Sequence, residues 1–442
     1  MDLNFQRDGA DNVAFRLPAD ARSDRMSRPL RVGLDLAHLV EDGGEPAELD
    51  GSGRYARELI PALIEAEPGI EITAWLGTTA PPDVLREPWA GEVRWMRLPV
   101  PGIGSPWHLW HELVGIGLAA RRRKLDVVHG LASLAPLITP GVASVVTILD
   151  IVWMRDPAAM DTRARVAMRA LVPLCARSSS RVIAISKAAA EDVSATLQIP
   201  FEKFDVTPLG IVPSIHGRPR SEDGEMRARL GLRDGPLVLC VSDMRRHKNL
   251  DGLIRAMPHI PEQEETGRRP LLVLPGSPTP YEQELREIAL EVGVAEDVAF
   301  PGRVGEADLE ALYAAAGCFV LPSFQEDFPL PILEAMARGV PVACSDASSL
   351  PEIAGDAALM FDPFDAWETA HQVKRLLSDG ELAEQLIERG FRRCEQFSWR
   401  RTAECTLDSY RRALEPNMVQ AGRDEQLHVG SRNGSLNGHT GR

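Results

Sequence analysis

The chain has 442 residues, 44% of them hydrophobic, a length that suits two globular domains better than one. Its formal net charge of −15 argues against general nucleic-acid binding, which needs a basic surface. No run of about 18 apolar residues is present to span a membrane, and the N-terminus is polar and acidic, unlike a signal peptide. The six cysteines lack Cys-x-x-Cys spacing, which predicts buried free thiols in a reducing cytosol.

Both ends of the chain lack a periodic apolar pattern. We predict a flexible leader over residues 1–28 and, where Gly, Asn, Ser and His are frequent, a disordered tail over 417–442. Between them we predict an N-terminal domain over 29–213, a C-terminal domain over 214–398 and a final helix over 399–416.

The first half alternates strand-like and helix-like segments. Strands are predicted at 30–36, 71–76, 125–129, 144–149, 181–185 and 205–207. A glycine-containing loop ending at Gly53 precedes a helix that starts at Arg54. The pattern breaks near Pro213, and the polar stretch 217–223 marks the linker between the domains.

The second half repeats this alternation more clearly. Strands are predicted at 237–241, 271–274, 297–300, 318–321 and 340–344, and helices between them include 280–292 and 306–316. Strands that are apolar on both faces and separated by helices indicate a parallel sheet covered on both sides. The sequence therefore predicts an α/β protein with two such sheets.

Two glutamates follow the strand at 318–321. Glu326 falls on the strand-to-helix loop, and Glu334 falls seven intervening residues later, in the first turns of the helix. Both are expected at the carboxyl edge of a parallel sheet, where open α/β folds bind ligands, and two carboxylates there suit vicinal hydroxyls. Taken alone, such a pair is more often two ordinary acidic residues stabilised by the helix dipole.

The surrounding sequence changes that interpretation. The segment from Pro322 to Ala337, continued by Arg-Gly-Val-Pro-Val, strongly resembles the signature of retaining glycosyltransferases of family 4, also called group 1. The similarity extends, with gaps, from about residue 30 to about residue 415. It implies the GT-B fold, in which two Rossmann-like domains face each other across a cleft and the C-terminal one holds most of a nucleotide-sugar. It also implies that the last helix crosses back to the N-terminal domain.

A basic loop is the expected diphosphate site. Arg245, Arg246, His247 and Lys248 come directly before a predicted helix start, which favours an anion. The resemblance implies that Lys248 and a nearby arginine hold the donor diphosphate and act in catalysis. Where many members have Gly-Arg, this chain has Ser242-Asp243, so Arg245 or Arg246 is expected to substitute. A solvated basic loop is the alternative.

The resemblance also implies how the rest of the donor is held. Glu326 would contact the transferred sugar and Glu334 the ribose. The remaining residues expected at the donor are Gly302, Arg303 and Val304, whose backbone contacts the base in relatives, and Phe328 and Leu330.

The acceptor side is less well defined. Gly51 and Gly53 resemble the family's glycine-rich loop at the cleft, although a plain loop-to-helix connection fits nearly as well. Leu149 replaces a histidine that relatives carry before Asp150, which remains a candidate for acceptor binding. His129, at the end of a neighbouring strand, could occupy similar space, but a histidine there is more often purely structural.

The expected function is a retaining transfer of a hexose, with mannose the favoured sugar, from a nucleotide-diphosphate sugar to a saccharide or lipid-linked acceptor in surface polysaccharide or glycoconjugate synthesis. No Asp-x-Asp is present, so we expect no metal and no cofactor beyond the donor. A sugar-nucleotide epimerase, another GT-B enzyme and a non-catalytic sugar-nucleotide-binding protein remain alternatives. We expect a cytoplasmic protein with no nucleic-acid partner. Arg121–Lys124, near Trp107 and Trp110, leave weak peripheral contact with the inner membrane face open.

Overall fold

The computed structural model describes residues 28–36, 51–77, 84–98, 106–154, 162–212, 223–262 and 267–415. The predicted tail, the leader before Arg28 and residues 217–222 of the predicted linker lie outside the described residues, whereas Asp223 begins a helix.

The first domain is built on a seven-stranded parallel sheet. Its order, β3-β2-β1-β4-β5-β6-β7, extends the Rossmann order by one strand. The strands are Arg31–Leu36 (β1), Glu71–Leu76 (β2), Val93–Arg97 (β3), Val127–Gly130 (β4), Ala143–Ile148 (β5), Arg181–Ala184 (β6) and Phe204–Val206 (β7). Register is set by pairs such as Val32 with Ile72 and with Val127.

The second domain carries a six-stranded parallel sheet in the equivalent order, β10-β9-β8-β11-β12-β13. Its strands are Leu237–Leu239 (β8), Leu271–Pro275 (β9), Val298–Gly302 (β10), Ala316–Leu321 (β11), Val342–Ser345 (β12) and Ala358–Phe361 (β13). The two sheets confirm the predicted α/β class with two parallel-sheet domains.

Helices connect the strands in both domains. The helices of the first domain are Gly51–Ala66 (α1), 106–122 (α2), Thr162–Ser178 (α3) and Lys187–Leu197 (α4). The α2 helix consists of three consecutive segments, Pro106–Trp110, the π-helical turn His111–Gly115 and Ile116–Arg122. The helices of the second domain are Asp223–Leu230 (α5), Leu250–Ala256 (α6), Tyr281–Glu291 (α7), Glu306–Ala315 (α8), Leu330–Ala337 (α9), Leu350–Ala354 (α10), Ala366–Ser378 (α11), Gly380–Cys394 (α12) and Trp399–Leu414 (α13). Short 3-10 turns are Val84–Arg86, Pro88–Glu92, Val152–Met154, Phe201–Lys203, Arg246–Lys248, Met257–His259 and Ala295–Asp297.

The central strands are buried on both faces. Every residue of β4, β9 and β12 is buried, which explains their continuous apolar character. Each fully buried Val, Leu or Ile side chain contributes about 1.5–3 kcal/mol. Four of the six predicted free thiols lie in these cores, at Cys175, Cys240, Cys318 and Cys344.

The last helix packs back onto the first domain. α13 packs against α1 and against the β5 and β6 strands. Asp205, in the middle of β7, accepts hydrogen bonds from Ser409 and Arg412 of this helix. Gly210 lies directly beneath the start of α13, since a Cβ there would come within 2.2 Å of the Trp399 backbone nitrogen.

A second contact joins the domains near the cleft. The carboxylate of Glu352, on α10, accepts hydrogen bonds from the backbone nitrogens of Lys187 and Ala188, at 2.9 and 3.1 Å. Ser186 caps the same helix through its own side chain, which accepts from the Ala189 nitrogen. Side chains of both domains therefore accept hydrogen bonds from the free backbone N–H groups in the first turn of α4.

Candidate functional site

A cleft of about 1020 Å³ lies between the two domains, at the carboxyl ends of their strands. Residues of the first domain on its wall include Ser52, Arg54, Leu149, Asp150 and Trp153, and residues of the second include Ser242, Arg245, His247, Lys248, Gly276, Arg303, Val304, Glu326, Asp327, Phe328, Leu330 and Glu334. The cleft therefore brings together most of the residues that the sequence assigned to donor and acceptor.

Lys248 and Glu326 form an ion pair in this cleft. The Lys248 Nζ atom donates to both carboxylate oxygens of Glu326, at 2.8 and 2.9 Å. The two side chains are only 18% and 10% exposed. A pair this sheltered from water is screened less by salt than a surface pair.

The loop that carries Lys248 is held from both sides. Asn249 adopts a left-handed conformation at φ +55° and donates from its side-chain nitrogen to the carbonyls of Pro322 and Pro363, at 3.0 and 2.8 Å. The Phe324 nitrogen donates to the His247 carbonyl at 2.9 Å. These bonds tie the basic loop to the segment that carries Glu326.

Serine side chains fix Glu326 itself. Ser323 donates to a carboxylate oxygen of Glu326 at 2.7 Å, and Ser345 in turn donates to the Ser323 carbonyl. Ser348 and Ser349 both donate to the backbone carbonyl of Glu326 at 2.7 Å. The glutamate is therefore pre-organised, with its side chain pointing to Lys248.

Glu334 lies further along the same wall, on α9. That helix begins at Leu330, with Pro329 at its N-cap and Pro331 in its first turn, where a missing N–H is harmless. The Glu334 carboxylate pairs with Arg54 of α1 at 2.9 Å and lies 3.4 Å from the Tyr313 hydroxyl, which donates to it. The two predicted glutamates thus have different partners.

The two candidate arginines of the basic loop separate. Arg245 lines the cleft, whereas the Arg246 guanidinium pairs with Glu284 at 2.6 Å and stacks over the Tyr281 ring, both on α7. Arg246 does not line the cleft, so the prediction that it substitutes for the missing arginine is corrected. The 3-10 turn over Arg246–Lys248 explains this, since neighbouring side chains leave it in different directions.

The prediction that His129 lies at the acceptor side of the cleft is also corrected. His129 is fully buried within the first domain, where its ring nitrogens lie 2.7 Å from the Tyr410 hydroxyl and 2.7 Å from Thr147 Oγ1. Burial lowers the pKa of His129 to about 3, so the ring is neutral at physiological pH. His129 does not reach the cleft and serves to fasten α13 to β4 and β5.

The glycines fall at the edges of the site. Gly51 and Gly53 belong to the first turn of α1 rather than to a loop, and Arg54, one residue further, is the residue of this motif that pairs across the cleft. Gly302 ends β10 at φ +74°, and its carbonyl accepts a hydrogen bond from the Gly276 nitrogen. Gly276 approaches the Ser242 carbonyl so closely that a Cβ would lie 2.4 Å from it.

Two aspartates lie near the Lys248–Glu326 pair. Asp150 follows β5 of the first domain, and burial raises its pKa against a backbone hydrogen bond and the charges of Lys248 and Arg245. Asp327 is 8% exposed, and burial, followed by the charges of Asp150, Asp192 and Glu326, raises its pKa to about 7. The cleft therefore holds acidic groups from both domains beside the half-buried ammonium of Lys248.

Among the site residues that were not predicted from the sequence, three stand directly after a residue of a predicted motif. Arg54 stands directly after Gly53 of the glycine motif, Asp327 directly after Glu326, and Asn249 directly after Lys248. Adjacency to a motif residue is the signal that could have marked them. Their roles depend on inter-domain and loop contacts that a linear pattern does not display.

Sequence profiles of known families match both halves of the chain. The profile described as glycosyl transferases group 1 matches residues 222–393, which contain the basic loop and both glutamates. The profile described as a glycosyl transferase 4-like domain matches residues 50–210. The two matches together cover most of the described structure.

Characterised relatives are similar over part of their length. The O-antigen chain mannosyltransferase B of Escherichia coli is 33% identical over 235 residues, which are 53% of this chain and 61% of that protein. The MMP alpha-(1->4)-mannosyltransferase of Mycolicibacterium hassiacum is 29% identical over 318 residues, 67% of this chain and 73% of that protein.

Solved structures share the two-domain architecture. A glycosyltransferase of Rickettsia africae superposes with a TM-score of 0.64 at 15% identity, over 88% of this chain and all of that one. The HepE protein of Anabaena, in complex with UDP and glucose, gives a TM-score of 0.63 at 18% identity, over 86% of this chain and 99% of that one. The fold is thus the GT-B fold predicted from the sequence. On these matches, the chain belongs to the group 1 glycosyltransferases, also called glycosyltransferase family 4.

Proposed function

We propose that the protein transfers mannose from a nucleotide-diphosphate mannose to a hydroxyl of a saccharide or lipid-linked acceptor, with retention of the anomeric configuration. The observation that carries this proposal is the sheltered Lys248–Glu326 pair in a cleft between two parallel-sheet domains. The mannosyltransferases among the relatives support mannose as the sugar and surface polysaccharide as the product class.

The cations of the cleft suit a departing diphosphate. Cleavage of the glycosidic bond leaves negative charge on the phosphate oxygens, and fixed positive groups in a sheltered site stabilise such charge strongly. Lys248 and Arg245 both line the cleft. An ammonium has three N–H donors, so Lys248 can bind a phosphate oxygen while it keeps a bond to Glu326. We assign these two residues to the leaving group.

The two glutamates divide the donor between them. We assign Glu326 to the transferred sugar, because it lies beside the cation that faces the leaving phosphate. We assign Glu334 to the ribose hydroxyls, because it lies on the same wall of the cleft but further along the chain, on α9. Arg303, Val304, Phe328 and Leu330 would complete the donor side.

Retention requires the acceptor hydroxyl to attack the face that the nucleotide leaves. We propose that the departing phosphate itself takes the proton of this hydroxyl, as family membership implies. The protein then orients the two substrates and stabilises the developing charge.

We propose that catalysis needs no divalent cation. The proposal rests on Lys248 and Arg245, which supply the positive charge that a metal ion contributes in Asp-x-Asp enzymes.

A lipid-linked acceptor would bring the protein to a membrane surface. Trp107 and Trp110 are exposed on α2, and Arg121 and Arg122 lie in the last turn of the same helical stretch. Among the described residues, none of the helices has both the length and the apolar composition to cross a bilayer. Peripheral membrane contact through α2 remains a proposal.

Incubation of the purified protein with a panel of nucleotide sugars tests the function. We expect thermal stabilisation and slow release of nucleoside diphosphate with GDP-mannose, and faster release when mannose-containing oligosaccharides are added. NMR of the product would give the anomeric configuration of the new linkage. If no nucleotide sugar of the panel gives thermal stabilisation or release of nucleoside diphosphate, the proposed function is excluded.

A further inference from the structure

One cleft residue is buried without a protein partner. Asp327 is 8% exposed and lines the cleft, yet across the described ranges its carboxyl takes part in no hydrogen bond. Its side chain is largely removed from bulk water, but its oxygens remain accessible from the cleft, so a ligand there can donate hydrogen bonds to them. A buried polar group without a protein hydrogen bond calls for an explanation, and its place on the cleft wall favours a ligand that supplies the missing donor.

The surroundings of Asp327 point to a neutral ligand rich in hydroxyl groups. Asp150 and Asp192 of the first domain and Glu326 of its own domain lie close enough to repel its negative charge, and Lys248 only partly offsets them. An anionic ligand group would meet the same repulsion. A sugar hydroxyl, in contrast, can donate a hydrogen bond to a carboxylate and brings no charge.

The position of Asp327 relative to the reacting groups indicates which part of the cleft its ligand occupies. Asp327 lines the same cleft as Glu326 and lies within reach of the charges of Glu326 and Lys248, so it is close to the place that we assign to the transferred sugar. Asp150 approaches from the opposite domain, so the two carboxyls flank the cleft from both sides.

We propose that Asp327, with Asp150 opposite it, is a specificity-determining residue that binds hydroxyl groups of a saccharide in the cleft. This inference rests on the proposed function and adds to it a residue that binds the sugar part of a substrate and not the nucleotide. The saccharide is either the sugar of the donor or the acceptor, and both offer the same hydroxyl chemistry.

Calorimetric titration separates these two sources. The wild-type protein and the Asp327→Ala variant are titrated with GDP, with GDP-mannose and, at saturating GDP, with methyl α-mannoside. If Asp327 holds the donor sugar, the variant binds GDP-mannose about 10-fold or more weakly and binds GDP within about 2-fold of the wild type. If it holds the acceptor, only methyl α-mannoside binding is lost.

Two further variants exclude a purely structural effect. Glu388→Gln changes an exposed acidic residue on α12 and should leave all three affinities unchanged. Asp327→Asn keeps the shape of the side chain but cannot ionise. The pKa of Asp327 is about 7, so its carboxyl ionises between pH 6 and pH 8 and its hydrogen bonds from sugar hydroxyls become charge-assisted and stronger. The wild-type affinity for the sugar should therefore increase over this pH range, and that of Asp327→Asn should not. The other titratable and charged groups near Asp327 are the same in both proteins, so their contribution to the pH dependence of binding cancels in the comparison. These groups are Asp150, Asp192, Glu326, His247, Lys248 and Arg245.

The outcomes separate this inference from the proposed function. If the wild type binds GDP-mannose or methyl α-mannoside and Asp327→Ala binds both equally well, Asp327 has no role in sugar recognition. If the wild type binds none of the three probes, nor any other nucleotide sugar, the proposed function fails and this inference fails with it.

Discussion

Arg54 of the first domain and Glu334 of the second form an ion pair across the cleft, with Nη2 and Oε1 2.9 Å apart. The arginine is 47% exposed and the glutamate 17%, so the pair itself contributes little, about 1 kcal/mol or less. Its interest is its position. The carboxylate that we assign to the ribose already has a cationic partner from the opposite domain, and its oxygens can accept further hydrogen bonds from hydroxyl groups.

Glu334→Ala should mainly weaken donor binding. Contacts to the ribose are the same in the ground state and in the transition state, so their loss should raise the donor KM about 10-fold and change kcat less than about 3-fold. Arg54→Ala removes the same ion pair but keeps the carboxylate, and it should leave the donor KM within about 3-fold of the wild type. Equal KM effects of the two substitutions would show that only the inter-domain contact matters.

Lys248→Ala should lower kcat by at least about 100-fold with little effect on folding, because it removes a charge that stabilises the leaving diphosphate. Arg246→Ala is the matched control, since Arg246 belongs to the same loop but pairs with Glu284 outside the cleft. Steady-state rates at saturating donor, with thermal unfolding of each variant, make the comparison. Near-normal turnover of Lys248→Ala would contradict the assigned role.

Glu326→Gln should slow transfer more than it weakens donor binding. Its carboxylate lies against the Lys248 ammonium. In the role that we propose for it, it would contact the sugar as positive charge develops on the reacting carbon. The amide keeps the size of the side chain, so the bond from Ser323 can persist while the charge is lost. The ratio of kcat to KM effects, compared with Glu334→Ala, is the measurement. A change in KM alone would assign Glu326 to ground-state binding.

The sequence predicted the fold well because apolar strands alternate with helices throughout. The strands that it did not predict, Val93–Arg97 and Ala358–Phe361, both lie at sheet edges. An edge strand is buried less completely, and Val93–Arg97 carries two arginines, so neither segment shows the continuous apolar run of a central strand. The helix start at Gly51 was also missed, since glycines normally argue for a loop.

The site was predicted where the signal is local and missed where it depends on packing. Lys248 and Glu326 lie in motifs, and the structure brings them together in the cleft. Arg246 and His129 were placed at the site because they stand beside motif residues or end a strand, and neither feature fixes the direction of a side chain. The contact of His129 with Tyr410 joins residues far apart in the chain, so no linear pattern could reveal it.

His129 should matter for stability instead of catalysis. Its folded pKa of about 3 lies below the ordinary value of 6.5, so below pH 6.5 the unfolded chain binds a proton that the folded protein does not. The free energy of unfolding should therefore fall as the pH falls from 6.5 towards 3, by about 1.4 kcal/mol per pH unit from this residue.

His129→Phe should lose this pH dependence. At pH 7 it should be destabilised by about 1–3 kcal/mol, because Tyr410 and Thr147 are left without their buried partner. His371→Gln, at an exposed position on α11, is the control. Urea unfolding at pH 7 and pH 5 measures both effects. An unchanged stability difference between wild type and His129→Phe at the two pH values would contradict the buried neutral ring.

Chelation tests the assignment of the leaving group to protein cations. Donor binding and transfer should survive EDTA, because Lys248 and Arg245 supply the positive charge at the diphosphate. The Lys248→Ala variant sharpens the test. Added Mn²⁺ or Mg²⁺ should leave the wild-type rate unchanged and should restore little of the activity of Lys248→Ala, since the cleft offers the metal no Asp-x-Asp ligands. Wild-type activity that EDTA abolishes and Mn²⁺ or Mg²⁺ restores would show that a metal ion, and not the basic loop, stabilises the departing diphosphate.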